Sequence, residues 1–381
     1  MRTAVWLLLL TACDGAPEGT PDASADVVVE AAPQPDDISS VLDPIRESNG
    51  LPALAGAVFR GSDLVAIGVS GVRKWGDPTL ATISDQWHLG SDTKAMTATL
   101  IGLHVDTNTI HFEDTVATLF AGETIDPSYA NVTLEQLLQH RGGAPGTMPS
   151  DIWSQMWADG TAPDARIKAV RALISRPVAQ APGTYVYANA GYMIAGAALE
   201  RAMSATWDSM ITNELFGPLH MASCGFGAPG TPNQVDEPWG HTVSGSTPTG
   251  VSPGPNADNP PSMGPAGTVH CSLADWGKFL AVHLAGARGE PTIVSAATMK
   301  RLQTPPSGGD YADGWIVTNR PWAGGDGTAL THSGSNTMWF ATAWIAPAKN
   351  VVFAVATNRG DTVAATAVDS AFGPLIQTYA P

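Results

Sequence analysis

The sequence predicts an α/β fold of the α+β kind: one antiparallel sheet built from both chain ends and flanked by helices, with a mostly helical domain inserted between them. Three observations carry this expectation. Apolar, β-branched runs occur near the start (53–60 and 63–71) and return near the end (314–317, 337–347 and 350–358). The stretch between them is dominated by helical spacing. Hydrophobic residues make up 44% of the 381 residues and charged ones 14%, with 12 Trp, enough apolar material for a sizeable core.

The chain opens with Met1-Arg2 and a short apolar run, Ala4 to Leu10, too short to span a bilayer and of the form of an export signal. The run ends in Leu10-Thr11-Ala12-Cys13, which resembles a bacterial lipoprotein signal, in which the cysteine is lipidated. An exported protein of the bacterial cell envelope, held at a membrane through an acyl chain on Cys13 alone, is the expectation. An ordinary cleaved signal with an incidental cysteine is the alternative. Residues 14–36, rich in Ala, Pro and Asp, read as a disordered tether.

Folded sequence is expected from 37 onward, with 37–90 and 290–381 forming the α/β part and 91–289 the mostly helical part. Residues 38–50 have helical spacing and a Gly stop. The two runs that follow are split by Gly61-Ser62, a hairpin signal. Helices are expected within 91–106, 132–141, 165–175, 188–204 and 272–286. Residues 226–266 break the pattern with Gly, Pro, Ser and Thr, and a loop of that length usually walls or covers a site. Strands return in the last third, and a helix near 362–378 closes the chain. Strands at both ends around a helical middle place a cleft between two parts.

A net charge of −16, from 19 basic and 35 acidic residues, disfavours nucleic acid and anionic membrane surfaces as partners. No C-x-x-C and no His/Cys cluster occurs, so neither a metal nor another cofactor is expected. Cys224 and Cys271 remain once Cys13 is set aside, and sequence leaves open whether they pair or stay as thiols.

Three short motifs carry chemistry. Ser91-Asp92-Thr93-Lys94 opens an apolar helix, and residues three apart share a helix face, so the lysine amine is placed beside the hydroxyl. A serine needs a base to become a nucleophile, and a lysine serves when burial lowers its pKa. The helix N-terminus adds N–H groups where an oxyanion develops. Tyr187-Ala188-Asn189 supplies a phenol able to relay protons and an amide able to bind both lysine and substrate. His332-Ser333-Gly334 leads into an apolar strand that substrate backbone can pair with, glycine permitting close approach. Each motif alone also has a bland reading: a cap and a solvated charge, a chance pair, a turn before a strand.

In this order and at these separations, S-x-x-K, Y-x-N and H-x-G resemble the serine β-lactamase and penicillin-binding protein superfamily. Further matches extend over about 40–378. Residues 133–140 are similar to the helix before the second motif. Pro265-Ala266-Gly267 and Ser272-Leu273-Ala274-Asp275 resemble a conserved segment of that family, and Gly314-Trp315 and Ala356-Thr357-Asn358 its last strands. The resemblance is closest to the branch of class C β-lactamases, DD-carboxypeptidases and related esterases. It implies a β-lactamase/transpeptidase-like fold, with Ser91 acylated and Lys94 and Tyr187 handling its proton. Asn189 would position substrate, and the N–H groups of Ser91 and Ser335 would form the oxyanion hole.

The chain departs from the class C pattern where His332 replaces a lysine. Histidine there resembles the carboxypeptidases, aminopeptidases and esterases, and its ordinary pKa of about 6.5 predicts a charge that changes within the working pH range. Arg141 follows His140 where the family carries a different sequence, either as a carboxylate ligand or as a surface arginine. The expectation is a serine hydrolase acting as a monomer on a small-molecule or peptide substrate, an ester or a D-amino-acid amide. A class C-type β-lactamase and a non-catalytic peptidoglycan- or partner-binding relative are the alternatives. Substrate choice is expected to lie with the cleft walls, 141–165 and 226–266.

Overall fold

The computed structural model describes residues 34–245 and 247–381, and in it the two ends of the chain meet in one sheet. The first end supplies β1 (Asp36–Asp37), α1 (Ser39–Ser48), β2 (Ala53–Arg60) and β3 (Asp63–Gly71). Next come β4 (Gln86–His88), a 3₁₀ turn over Gly90–Asp92 and α2 (Thr93–Asp106). The helical middle holds α3 (Val116–Leu119), α4 (Leu134–Leu138), α5 (Ser150–Asp159), α6 (Ala165–Ile174), α7 (Asn189–Met203) and α8 (Trp207–Ile211). A wall segment follows, with β5 (Gly225–Phe226), β6 (Gly240–Ser244), β7 (Thr247–Val251), the short α9 (Gly264–Gly267) and β8 (Val269–Ser272). The second end supplies α10 (Leu273–Ala287), α11 (Ala296–Leu302), β9 (Ile316–Asn319), β10 (Thr328–Ser335), β11 (Phe340–Ala346), β12 (Val351–Thr357) and α12 (Thr362–Tyr379).

The main sheet runs β1-β3-β2-β12-β11-β10-β9, antiparallel except for the β1–β3 pair. Its central strands are apolar throughout because both faces are covered. Leu54, Val58, Phe353 and Val355 point to the face under α1 and α12, where Leu42, Val368 and Phe372 meet them. Ala55, Ala57, Phe59 and Val352 point the other way, toward Trp276, Phe279 and Leu280 of α10. This two-residue alternation is what a strand buried on both faces requires. Helix α10 lies close: a Cβ on Gly277 would sit 1.8 Å from the Phe59 ring. It therefore belongs to the sheet layer, which corrects its placement in the helical part 91–289.

Two of the family-like segments act as helix caps. Thr133 and Gln136 form a capping box at the start of α4. The Ser272 hydroxyl accepts the Asp275 N–H at 3.2 Å, fixing the N-terminus of α10.

Three further points refine the expectations. Folded structure begins one residue early, since Asp36 pairs with Ala66 rather than ending a tether. His332-Ser333-Gly334 is not a lead-in to β11 but the end of its own strand, β10. A small sheet, β4-β8-β5, pairs a strand from the first end with two from the wall segment, and a disulfide joins Cys224 to Cys271 of β8 with Cα atoms 4.2 Å apart. Cys13 and its signal lie outside the described residues. Among the described residues no helix is long and apolar enough to cross a membrane, and no group of three or more His, Cys, Asp or Glu is placed to hold a metal ion.

Candidate active site

Ser91 sits in the 3₁₀ turn between β4 and α2, half-buried, rather than inside the helix proper. Two glycines lock that turn against β10. Gly90 has φ +51°, and a Cβ there would lie 2.3 Å from the backbone N of Ser335. A Cβ on Gly334 would lie 1.8 Å from the Leu89 carbonyl oxygen and 2.6 Å from the backbone N of Ser91. Only bare backbone fits on either side, so the turn carrying Ser91 and the strand end carrying Ser335 share one small space. Beyond Thr331, β10 has no partner strand on the β9 side among the described residues, which leaves an open edge beside that space.

Lys94 is the most constrained side chain of the site. It is 0% exposed, and its Nζ lies 3.0 Å from Ser91 Oγ, 2.7 Å from Asn189 Oδ1 and 2.7 Å from the Ala266 carbonyl oxygen. Burial lowers its pKa from 10.5 to about 7, against an opposing pull from the Asp92 carboxyl. A neutral amine has two N–H bonds and one lone pair. The Asn189 and Ala266 oxygens only accept, so they take both N–H bonds and the lone pair is left facing the Ser91 hydroxyl.

Tyr187 caps the group at the cleft mouth, 37% exposed, with the Lys94 Nζ 4.9 Å from its ring centroid. Desolvation pushes its phenol above the ordinary tyrosine range, against a smaller pull from its hydrogen bond with Ser91. The phenol therefore stays protonated where Lys94 has already lost its proton. His140 supports this arrangement: its Nδ1 accepts the Ala188 N–H at 3.1 Å, and its ring lies 4.1 Å from that of Tyr187. Burial pushes the His140 imidazole down to about 2.

His332 lies beneath Tyr187, ring centroids 6.4 Å apart, and is 4% exposed. Its Nε2 is 3.0 Å from the Tyr311 hydroxyl, and its Nδ1 is 3.7 Å from the carboxyl of Asp92, itself 2% exposed. Burial, reinforced by Lys94, lowers the His332 pKa to about 3. Titration within the working pH range is thereby overturned: the imidazole is neutral there and is held by Tyr311, not presented as a cation to substrate. Burial likewise raises the Asp92 carboxyl well above its usual range. Arg141 is engaged elsewhere, its Nη1 donating to the Gly183 carbonyl at 2.7 Å and its guanidinium stacked 5.8 Å from the Tyr185 ring.

The structure thus brings together Ser91, Lys94, Tyr187, Asn189, Gly334 and Ser335, and sets His332 one layer below them. Sequence reasoning passed over His140, Tyr311, Asp92 and the Ala266 carbonyl. Their only signals were adjacency to motifs: Asp92 stands inside S-x-x-K, and Tyr311 precedes Gly314-Trp315 by three residues.

A family model described as Beta-lactamase matches residues 38–374. The chain belongs to the beta-lactamase family. "Penicillin-binding protein 4" of Amycolatopsis lactamdurans is 28% identical over 332 residues, covering 84% of each chain. Among solved structures, the octameric penicillin-binding protein homologue from Pyrococcus abyssi superposes with a TM-score of 0.70 at 21% identity, covering 89% of this chain and 77% of that one. The D-stereospecific amidohydrolase from Streptomyces sp. gives 0.68 at 18% identity, covering 88% of this chain and 98% of that one. At these identities the structural likenesses speak to fold alone. Family membership makes the chain a serine hydrolase in the general sense.

Proposed function

We propose that this serine hydrolase forms an acyl-enzyme on Ser91 and acts on an ester or D-amino-acid amide, in the manner of an esterase or DD-carboxypeptidase. The observation that carries this reading is the buried Lys94 amine 3.0 Å from Ser91 Oγ, whose two other partners, Asn189 Oδ1 and the Ala266 carbonyl oxygen, can only accept. Burial favours its neutral form, which leaves the lone pair for the hydroxyl. Lys94 takes the hydroxyl proton as Oγ attacks the substrate carbonyl, and the oxyanion forms against the backbone N–H groups of Ser91 and Ser335. As the tetrahedral intermediate collapses, Tyr187 gives its phenol proton to the leaving oxygen or nitrogen and is reprotonated by the proton that Lys94 took from Ser91. Water then repeats the sequence on the acyl-enzyme, releasing the acid and restoring Ser91. Asn189 serves twice, holding the lysine through Oδ1 and offering its Nδ2 to substrate.

The neutral His332 bears on substrate class. No fixed cation stands in the third motif to hold a free carboxylate, so within that range a neutral ester or amide suits the site better than a D-Ala-terminated peptide, a penicillin or a cephalosporin, each of which carries one. A panel of one neutral p-nitrophenyl ester, one N-acetylated D-amino-acid amide, one D-Ala-terminated peptide and one cephalosporin tests this. The ester or the amide is expected to give the highest kcat/KM. Preferred turnover of the cephalosporin would replace this reading with that of a β-lactamase, and no turnover of any member with no acylation of Ser91 would leave a binding protein.

A further inference from the structure

Beside Asn189 the cleft widens into a cavity of about 450 Å³. Pro145, Met148 and Trp153 wall it from one side, Ala190 from the start of α7, and Asn259 and Met263 from the 226–266 wall. No residue lining it is Asp, Glu, Lys, Arg or His, in a chain whose net charge is −16. The cavity is joined to the chemistry through Asn189, which lines it and whose Oδ1 accepts from the lysine amine 3.0 Å from Ser91 Oγ. Tyr187 has its neighbours on another wall, the rings of His140, Tyr311 and His332. A leaving group must lie next to the proton donor, so the part of the substrate left on the Asn189 side is the acyl group.

We propose that this cavity binds the acyl group and selects uncharged, apolar ones: alkanoyl or aryl acyl groups of esters, and neutral N-acylated residues of amides. A free ammonium or carboxylate on the acyl part finds no countercharge there, and desolvating it is costly. The volume lies within the range of small-ligand pockets and leaves room for a chain well beyond acetyl. Trp153 continues outward to Trp157, ring centroids 5.9 Å apart, so apolar surface extends from the cavity to the rim. The proposal rests on the acyl-enzyme reading of Ser91.

A series of p-nitrophenyl esters from acetate to octanoate tests it, together with two charged esters of matched length, one carrying a terminal carboxylate and one a terminal ammonium. Burial of each added methylene is expected to raise kcat/KM roughly fourfold until the cavity is filled. Both charged esters are expected to fall at least roughly tenfold below their neutral counterpart. Met148→Glu places a carboxylate in the cavity from a half-buried position and is expected to favour the ammonium ester over the neutral one, reversing the wild-type order. Trp153→Ala is expected to flatten the chain-length dependence. Rates independent of chain length, or charged esters cleaved as well as neutral ones, overturn the proposal. A small fluorophosphonate tested alongside separates the two levels: if it labels Ser91 while the series is flat, only the cavity assignment fails, and if Ser91 is not labelled, the acyl-enzyme reading fails with it.

Discussion

Lowering the pH disarms the proposed base without replacing a side chain. The Lys94 amine acts only when neutral, and burial has lowered its pKa to about 7. Activity is therefore present above that value and lost as pH falls through it. One pH unit below the pKa about a tenth of the molecules carry a neutral amine, and at about pH 5 about one in a hundred, so kcat/KM is expected to fall roughly 100-fold between about pH 8 and pH 5. The neighbouring imidazoles do not blur this limb, since His140 at about 2 and His332 at about 3 stay neutral across the window. The assay is initial-rate hydrolysis of a neutral ester, which has no titration of its own, with the fold checked by circular dichroism at each pH. A rate that holds level down to pH 5 would refute Lys94 as the base. A limb displaced above pH 9 would place the proton on an ordinary amine or phenol and equally contradict the effect of burial.

Three further outcomes follow from the same geometry. Tyr187→Phe is expected to lower kcat by roughly 10²–10⁴-fold while the acid limb stays near 7, and a displaced limb would show that the phenol, not the amine, is titrating. Gly334→Ala would drive a methyl group into the Leu89 carbonyl and the Ser91 nitrogen, so kcat/KM should drop by at least roughly 100-fold, and retained activity would contradict the close approach. Lys94→Met should change the pH dependence of stability. The folded amine has the lower pKa, so the wild type pays a penalty that is full below about 7 and fades toward 10.5. Urea unfolding should then show the wild type gaining on the variant by about 1.4 kcal/mol per pH unit between those values, and a constant gap would contradict the burial of a titrating amine.

Much of the fold was legible because the central strands have both faces covered. Residues 53–60 and 63–71 are predominantly apolar runs whose ends coincide with β2 and β3. What stayed hidden was set by contacts remote in sequence. Strand β10 carries Thr328, Thr331, Ser333 and Ser335 among its eight residues, so it lacks the apolar run that announced β11 and β12. Helix α10 was assigned to the helical part by its place in the chain, whereas Gly277 against Phe59 puts it on the sheet.

The site followed the same division. Ser91 and Lys94 were readable because their partnership is local, three residues apart at a helix start. Tyr187 and Asn189 were readable only through motif order. His332 was expected to be mostly neutral at neutral pH but to titrate within the working range; its reference pKa describes an imidazole in water, and the burial and Lys94 cation that lower it come from elsewhere in the chain. Tyr311 and His140 were given no role, although His140 ends a family-like segment, since each matters only for the side chain it supports.

The central claim is that Ser91 is the nucleophile and Lys94 its base, and mapping a covalent adduct tests both at once. Wild type and the Lys94→Met variant are treated with a fluorophosphonate at about pH 8, digested and sequenced by mass spectrometry, with the rate of adduct formation followed in parallel. The account predicts one adduct, on Ser91, forming at least roughly 100-fold more slowly in the variant. An adduct on any other residue, or equal rates in the two proteins, would contradict it.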